Sequence, residues 1–361
     1  MALTDIDGQR LGDSVSDKLG DRNLIINGAM TVAQRGTSST ANDYGSVDRI
    51  RPSFNGGSIT QSQEDVSTND SPYALGFRKF FRLTNTTALA DPPSGAHHRR
   101  FLLRLEAQDI AQSGWDYTDS NSYITLSMWV RSSVGQTFTW FAQTVDGTQQ
   151  SYPWDITLAD NTWTPITKSF PGNSNLTIDS DNELGFAFDC AMFWGTNFTN
   201  ASKTNDQWSA FSGGARTKDF DDTWAITTGA TFDVTGIQLE VGNTATPFQH
   251  ESYAKTLAKC QRYYQKTTFT NGYRGANTKV YANLDIITNM RASPTVDAEG
   301  VLEINGSGSN DTATSVDIDN YGTNGVNKFI IISNFPSRTI YTPASMRFQA
   351  NENLLTLSAE L

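Results

Sequence analysis

Short runs with an apolar residue at every second position constrain this chain more than any other feature of its sequence. Runs of this kind lie at 101–106, 123–131 and 184–190, and Gly, Pro and Asn residues separate them. Such alternation gives a strand one apolar and one polar face, as a two-layered sheet structure requires. The pattern predicts a mainly β protein built on a jelly-roll β-sandwich.

A length of 361 residues exceeds what a single hydrophobic core usually serves, so two domains are expected. We predict an N-terminal anchoring segment at 1–22, a jelly-roll domain at 23–250, a linking helix at 251–268 and a smaller C-terminal antiparallel β domain at 269–361. The alternative for the first of these parts is a frayed tail.

The predicted linking helix carries apolar residues at steps of four, three and four, namely Tyr253, Leu257, Cys260 and Tyr264. Helices that pack side by side show this spacing, so we predict that these four residues form an oligomer contact. The alternative is an amphipathic helix that packs only on its own domain.

The strand before this helix changes the parity of its apolar residues half-way along. The residues before the change are Phe232 and Val234, and those after it are Ile237, Leu239 and Val241. A β-bulge at Gly236 would absorb one residue and keep both groups on the core side of the sheet. We therefore predict a bulge at this glycine.

The net charge of −11 and the pI near 4.7 argue against a nucleic-acid-binding protein, because phosphate contacts need clustered Lys or Arg. The same charge disfavours an anionic membrane surface as a partner, and no stretch approaches the length of a membrane span. The dense basic run at 97–100 follows a Pro-Pro-Ser-Gly turn and is interpreted as a solvated loop end.

The N-terminus lacks the basic and apolar regions of a secretory signal, so we expect a protein that is not exported by the usual route. The two cysteines, Cys190 and Cys260, lie in an alternating strand and on the predicted helix. We predict two buried free thiols here and no disulfide.

Carbohydrate binding is the chemistry that the aromatic residues favour. A sugar presents C–H faces and a rim of hydroxyls, so its site needs an exposed ring with polar groups nearby. Of the 8 Trp residues, several stand in loop-like contexts. We predict Trp115, Tyr117, Trp194 and Trp208 as carbohydrate-binding residues, with packing against the sheet as the alternative for each.

Catalysis and metal binding find little support in the sequence. The three histidines are His97, His98 and His250, and no nucleophile elbow accompanies them. A glycosidase needs only two carboxylates, so the sequence leaves that reaction open. Residues 179–183 alternate acidic ligands as a calcium site does, but the rest of a calcium loop is missing, and a solvated turn is the better interpretation. No cofactor is predicted.

Eight segments occur in order along the chain: NLIING at 23–28, VAQRGT at 32–37, VDR at 47–49, ITLSMWVR at 124–131, TGIQLEVG at 235–242, ATPF at 245–248, LAKCQRYY at 257–264 and MRASPTV at 290–296. This ordered set resembles a module of bacteriophage tail-fibre and related virion proteins. The resemblance implies a jelly roll similar to carbohydrate-binding modules, joined by a helix to a second β domain and assembled as a trimer. It does not imply an enzyme.

These observations predict a non-enzymatic phage virion protein, a trimeric tail-fibre or adhesin subunit that recognises a host-surface glycan. Its expected partners are two further copies of the chain, other virion proteins through the N-terminal segment, and the glycan, without nucleic acid or membrane insertion. The protein would be assembled in the host cytoplasm and released in the virion by lysis. The alternatives are a non-binding virion component (capsid fibre, decoration protein or tail adaptor) and a glycan depolymerase.

Overall fold

The computed structural model describes residues 21–267 without a gap. Towards the C-terminus it describes 269–276, 279–284, 287–298, 302–306, 309–312, 315–319, 329–333, 343–348 and 355–361. Apart from Asp21 and Arg22, the predicted anchoring segment lies outside the described residues. The chain divides into a first compact unit that ends at Tyr253 and a second unit, Ala254–Leu361.

The first unit is built almost entirely of strands. They are β1 (Ser38–Ser39), β2 (Ile50–Asn55), β3 (Ser58–Asp65), β4 (Lys79–Thr87), β5 (His98–Glu106), β6 (Tyr123–Ser132), β7 (Gln136–Thr144), β8 (Gln150–Leu158), β9 (Thr164–Pro171), β10 (Leu184–Trp194), β11 (Ser209–Ala210) and β12 (Thr231–Val241). Short helical turns interrupt them: a 3-10 helix at Ser71–Leu75, α1 (Ala107–Ala111) and α2 (Thr223–Ile226).

These strands form two six-stranded antiparallel sheets. Sheet A has the order β1-β3-β4-β12-β6-β9, and sheet B has the order β11-β8-β7-β10-β5-β2. Most connections cross from one sheet to the other, as from β2 to β3, from β4 to β5 and from β6 to β7. This is the jelly-roll sandwich that the alternating runs predicted.

Aromatic side chains from both sheets fill the space between the layers. Phe101 and Trp140 of sheet B face Phe232 of sheet A, with ring centroids 6.3 and 5.8 Å from that of Phe232. The indole nitrogen of Trp140 donates to the carbonyl of Ala191 at 3.0 Å, which satisfies its polar group inside the core. Cys190 is buried in the same core as a free thiol, as predicted, and so is Cys260 in the second unit.

The predicted bulge at Gly236 is confirmed. The register of β12 against β6 shifts between Thr235 and Gln238, and Gly236 has a φ of +66°. Apolar residues on both sides of the bulge reach the same core: Phe232, Val234, Ile237 and Leu239. Val241, which the alternation also placed inside, is 41% exposed because the strand ends there.

Two segments that carry the family resemblance lie side by side. Residues 23–28 run along β12 just past its bulge, where the Ile237 amide donates to the Gly28 carbonyl at 2.9 Å and the Leu24 amide donates to the Leu239 carbonyl at 2.9 Å. A Cβ at Gly28 would stand 2.0 Å from the Ile237 carbonyl oxygen, so only glycine fits. These two segments therefore bond to each other where β12 has passed the end of its pairing with β4.

The helix α3 (Tyr253–Gln261) leads into the second unit, which continues as strands. They are β13 (Tyr264–Thr267), β14 (Phe269–Ala276), β15 (Lys279–Leu284), β16 (Thr295–Ala298), β17 (Leu302–Gly306), β18 (Ser309–Thr312), β19 (Ser315–Asp319), β20 (Phe329–Ser333), β21 (Pro343–Phe348) and β22 (Leu355–Ser358). They form antiparallel sheets of three strands, β13-β22-β16, and seven strands, β18-β17-β21-β14-β15-β20-β19. This confirms the predicted class of the C-terminal domain.

The helix is shorter than the predicted 251–268, so not all four residues of the predicted oligomer contact lie on it. After Gln261 the chain enters β13, in which Tyr264 pairs with Ser358 of β22. Cys260 and Tyr264 are 1% and 6% exposed within this chain, whereas Tyr253 is 59% exposed and Leu257 half-buried. Of the four predicted contact residues, only Tyr253 and Leu257 are therefore open to another subunit.

Candidate functional site

The outer face of sheet B carries an unusual group of charged residues. On β5 the core takes Phe101, Leu103 and Leu105, so alternation turns Arg100 and Arg104 outwards. Together with four neighbours they form what we call the arginine face: Asp43, Arg51, Arg100, Arg104, Asp189 and Arg216.

Strand register places these residues around a shared centre at Leu102. Arg51 on β2 pairs with Leu102 from one side, and Asp189 on β10 pairs with it from the other. Arg100 and Arg104 stand two positions away along β5, opposite Ala191 and Ala187. Ala187 and Ala191 are themselves buried, so the longer side chains around them form the surface above β10.

The Asp189 carboxylate is almost completely enclosed and accepts a hydrogen bond from Arg100 Nη1. Burial raises the pKa of this carboxyl, and the charge of Arg100 offsets only part of that effect. The Arg100 side chain is 17% exposed and that of Asp189 only 4%, so solvent meets the positive end of the pair.

The loop between β10 and α2, residues 195–222, forms one side of the arginine face. Arg216 on this loop lies 4.5 Å from the ring centroid of Trp194, and Arg100 lies 4.7 Å from the same centroid. Phe211 is half-buried beside them and packs on Phe141 of β7. Trp194 thus supports two guanidinium groups through cation–π contacts.

The opposite side is formed by the segment before β2. Arg51 Nε donates to Asp43 Oδ1 at 2.7 Å. Burial opposes the ionisation of Asp43, but the hydrogen bonds from Arg51 and from the Tyr44 amide, with the charges of Arg51 and Arg104, outweigh it and lower the pKa of this carboxyl. Asp43 is therefore ionised at neutral pH and neutralises one arginine.

Several polar atoms of this face have unused hydrogen-bonding capacity. Arg100 Nε, Asp189 Oδ1 and Trp194 Nε1 are buried and have no hydrogen-bond partner among the described residues. Each such atom costs the fold about 1–3 kcal/mol, and native proteins keep few of them. Together they give the patch two donors and one acceptor that its own packing does not use.

The basic run at 97–100 is not a solvated loop end, because β5 begins at His98. Arg99 is 0% exposed, and burial lowers the pKa of its guanidinium to about 10. Burial, with the charges of Arg100, Arg216 and Arg99, lowers the pKa of His98 to about 3. That run, interpreted as a solvated loop end, therefore supplies Arg100 to the arginine face and places His98 beside Trp194.

The structure separates the four aromatic residues predicted to bind sugar. Trp115, Tyr117 and Trp208 gather at one end of the sandwich, where Trp115 and Trp208 lie 6.0 and 6.4 Å from Phe186. Trp115 is 3% exposed, so its ring packs in the core and offers no open surface. Tyr117 and Trp208 are half-buried, and their binding role stays a prediction.

Trp194 lies apart from the other three, on the arginine face. A register shift between Ala191 and Phe193 turns it to the same side as His98, with which it pairs. It is 2% exposed beneath Arg100 and Arg216, so it cannot act as the open ring that the sequence suggested. Its position in a loop-like stretch hid this burial.

The residues that sequence reasoning missed are the charged members of the arginine face. Asp189 stands in the middle of the otherwise apolar strand LGFAFDCAMFW, and a carboxylate in such a strand needs a partner. Arg100 and Arg104 have the parity opposite to the core residues of β5. The isolated carboxylate and the parity of the arginines both indicate charged residues on the outer side of the sheet. Only the structure shows that β5 pairs with β10 and so brings them together.

Two concave surfaces lie elsewhere on the first unit. A cleft of about 430 Å³ opens between β8 and β9 and is lined by Trp154, Lys168, Asn205 and Asp206, among others. A groove of about 340 Å³ lies over the outer side of sheet A, next to Phe77 and Phe248. Neither cavity contains the charged cluster of sheet B.

The described part of the chain offers no group of three or more His, Cys, Asp or Glu side chains able to hold a metal ion. In the predicted turn at 179–183, Asp181 Oδ1 accepts from the Glu183 amide at 2.9 Å. Asp146 Oδ2 likewise accepts from the Asp179 amide at 2.9 Å. These carboxylates organise the turn itself. None of the helices within the described ranges is long and apolar enough to cross a membrane.

Comparison with sequences finds no relative. No protein-family model matches the chain, and no curated protein matches it.

Comparison with solved structures returns carbohydrate-binding modules. A CBM4 module aligns with a TM-score of 0.30 and 10% identity over 60% of this chain and 99% of its own. The family 11 module of a cellulosomal cellulase of Clostridium thermocellum gives 0.28 and 13% over 58% and 96%. A CBM22-1 xylan-binding domain from Paenibacillus barcinonensis gives 0.27 and 9% over 54% and 87%. Such low scores say nothing about what this chain binds.

Proposed function

We propose that the first unit binds a glycan on the arginine face. The observation that carries this is the set of four guanidinium groups, with unused polar atoms beside them, on the outer side of a rigid sheet. Guanidinium groups donate several hydrogen bonds in a fixed plane, which suits the hydroxyl and ring oxygens of sugars. Phe211 and Gln143, both half-buried at this face, supply an apolar edge and an amide.

A glycan array probed with the purified chain tests this proposal. We expect binding to at least one class of surface polysaccharide, and a loss of about tenfold or more in Arg104→Gln, since hydrogen bonds to charged groups contribute about 1.5–3 kcal/mol each. Arg78→Gln is the matched control, because Arg78 is exposed and outside the arginine face, where it donates to the carbonyls of Tyr73 and Phe77 and lies over the Tyr73 ring. Equal losses in both variants, or no binding at all, would contradict the proposal.

A second candidate surface lies at the Phe186 end of the sandwich. Tyr117 and Trp208 stay in this proposal because their rings are partly open, while Trp115 packs beneath them. If Trp208→Ala abolishes binding and Arg104→Gln does not, the glycan binds at this end and the arginine face has another role.

We further infer that the chain is a subunit of a bacteriophage tail fibre or adhesin that recognises a host-surface glycan. The resemblance of its ordered segments supports this. In this proposal the chain acts without catalysis, as a homotrimer attached to other virion proteins by its N-terminal segment, and leaves the cell in the virion by lysis. Symmetry would multiply weak contacts into strong attachment.

The alternatives are separable by experiment. A structural virion component, such as a capsid fibre, decoration protein or tail adaptor, would bind no host surface. A depolymerase would release new reducing ends from host polysaccharide. Imaging of particles labelled for this chain would locate it on the virion or exclude it.

A further inference from the structure

The charge of the arginine face is opposite to that of the chain as a whole. The chain has a net charge of −11, yet four guanidinium groups meet here with two carboxylates, Asp43 and Asp189. Asp155 and Lys203 lie farther along the same side of sheet B and carry opposite charges. A local surplus of positive charge in an acidic protein attracts anions and repels little else.

The three arginines on the strands of sheet B hold this positive charge at fixed positions. Arg51, Arg100 and Arg104 surround Leu102 on neighbouring strands, so their positions are fixed by sheet register. Arg100 and Arg104 are four residues apart on β5, which corresponds to about 13 Å along a strand and about the length of two to three sugar rings. A glycan of two to three sugars can therefore reach from one of these guanidinium groups to the other.

The Asp189 carboxylate orients the site without blocking it. It is enclosed beneath Arg100, so its negative charge holds that side chain in place and is largely hidden from solvent. Arg51 and Arg104 stay half-buried and keep part of their surface open. An approaching anion thus meets positive charge first.

We propose that the arginine face selects glycans that carry a sugar carboxylate, such as uronic or sialic acids. This rests on the proposed glycan-binding function and names its ligand class. A carboxylate is planar and presents two oxygens, which match the two parallel N–H donors of a guanidinium. A sulfate ester also presents pairs of oxygens to this fork, so a sulfated sugar is the competing anion that the test includes.

Matched ligand pairs test this inference on the full chain. Calorimetry would compare an oligogalacturonate with its carboxyl-reduced form, and sialyllactose with lactose. At least one acidic member is expected to bind about tenfold or more tightly than its neutral partner, and this advantage shrinks as salt rises. In Arg104→Gln and Arg51→Gln the advantage disappears, while Arg78→Gln, outside the face, retains it.

The possible outcomes separate this inference from the function on which it rests. If neutral and acidic members bind equally, carboxylate selection is wrong and glycan binding stands. If a sulfated galactan oligosaccharide binds as tightly as the carboxylated ones, selection of carboxylates is also wrong. If no glycan binds, both proposals fall. Near-UV circular dichroism of each variant shows whether a loss reflects the site or the fold, and either arginine variant suffices if the other misfolds.

Discussion

His98 is a titratable residue whose pKa the fold lowers strongly. Its ring lies 5.2 Å from that of Trp194 and its Nε2 is 3.2 Å from the Ser53 hydroxyl. Burial, with the charges of Arg100, Arg216 and Arg99, lowers its pKa from 6.5 to about 3. Between these values the unfolded chain binds a proton that the folded chain does not, so stability falls as the pH drops below 6.5.

Replacing His98 by Phe should remove this pH dependence, because Phe packs against Trp194 but cannot titrate. We expect the wild-type protein to lose about 1 kcal/mol more of its unfolding free energy than His98→Phe between pH 7 and pH 5, after allowing for partial exposure of the ring. Urea unfolding at both pH values measures this. Parallel losses in the two proteins would show that His98 is protonated in the folded state.

Asp233 is a second residue whose role depends on burial. Its side chain is fully buried on sheet A, and its carboxylate accepts from Arg82 Nε at 2.7 Å and from Arg131 Nε at 2.8 Å. Asp233→Asn should lower the free energy of unfolding by about 2 kcal/mol, since charged hydrogen bonds are lost. The control Asp65→Asn breaks an exposed pair with Lys79 and should cost about 0.5 kcal/mol or less. Similar losses would mean that burial adds nothing.

Sequence alone could not locate the candidate site at residue scale, for a physical reason. An aromatic residue in a loop-like stretch is equally compatible with packing and with exposure, and Trp115 and Trp194 proved to be packed. Arg100 and Asp189 are 89 residues apart, so their contact depends on which strands pair. Parity tells which side of a strand a residue faces, not which residue it meets there.

At the scale of elements, β12 shows how much a parity change can predict. The slip between Val234 and Ile237 required an extra residue, and Gly236 is the position that tolerates positive φ. The register shift in β10 between Ala191 and Phe193 cannot be predicted from the sequence, because both flanking stretches are apolar and show no change of parity. A bulge can be predicted from the sequence only where polar and apolar residues alternate on both sides of it, so that the change of parity is visible.

Gly236→Ala should destabilise the first unit more than a backbone argument alone suggests. A Cβ would lie 2.6 Å from the ring of Phe77, which is buried against Phe248. We expect a loss of about 2–3 kcal/mol, of which about 1 kcal/mol is the cost of positive φ. Gly229→Ala isolates that backbone cost, because Gly229 has a φ of +79° and open space around it. Equal losses in urea unfolding would show that Phe77 moves away freely.

At the scale of the whole molecule, alternation and family resemblance predicted a jelly roll followed by a smaller β domain, and both are present. The helix that precedes the second domain is shorter than predicted. Tyr263 and Tyr264 are aromatic, and aromatic residues suit a strand as well as the apolar side of a helix. Burial of Cys260 and Tyr264 narrows the proposed trimer contact to Tyr253 and Leu257.

Multi-angle light scattering tests the trimer. Leu257→Asp and Tyr253→Asp should each reduce the mass from that of three chains to that of one, because a buried carboxylate at a subunit contact has no partner. Tyr253 is 59% exposed, so its replacement leaves the fold of one chain intact. Ala258→Asp, also exposed and one position along the helix, should leave the mass unchanged. An unaltered mass in both seam variants would exclude this helix as the contact.

The two sides of the arginine face differ in how readily evolution or an engineer can alter them. Arg51, Arg100, Arg104 and Asp189 lie on the strands β2, β5 and β10, where a substitution must preserve strand register and core packing. One side of the face comes from the loop at 195–222. The tip of this loop, residues 212–214, is exposed, with open space around Gly213. Insertions there would reshape what the face accepts while the sandwich stays as it is. New glycan specificity, in the proposed function, would then arise from one short stretch of gene.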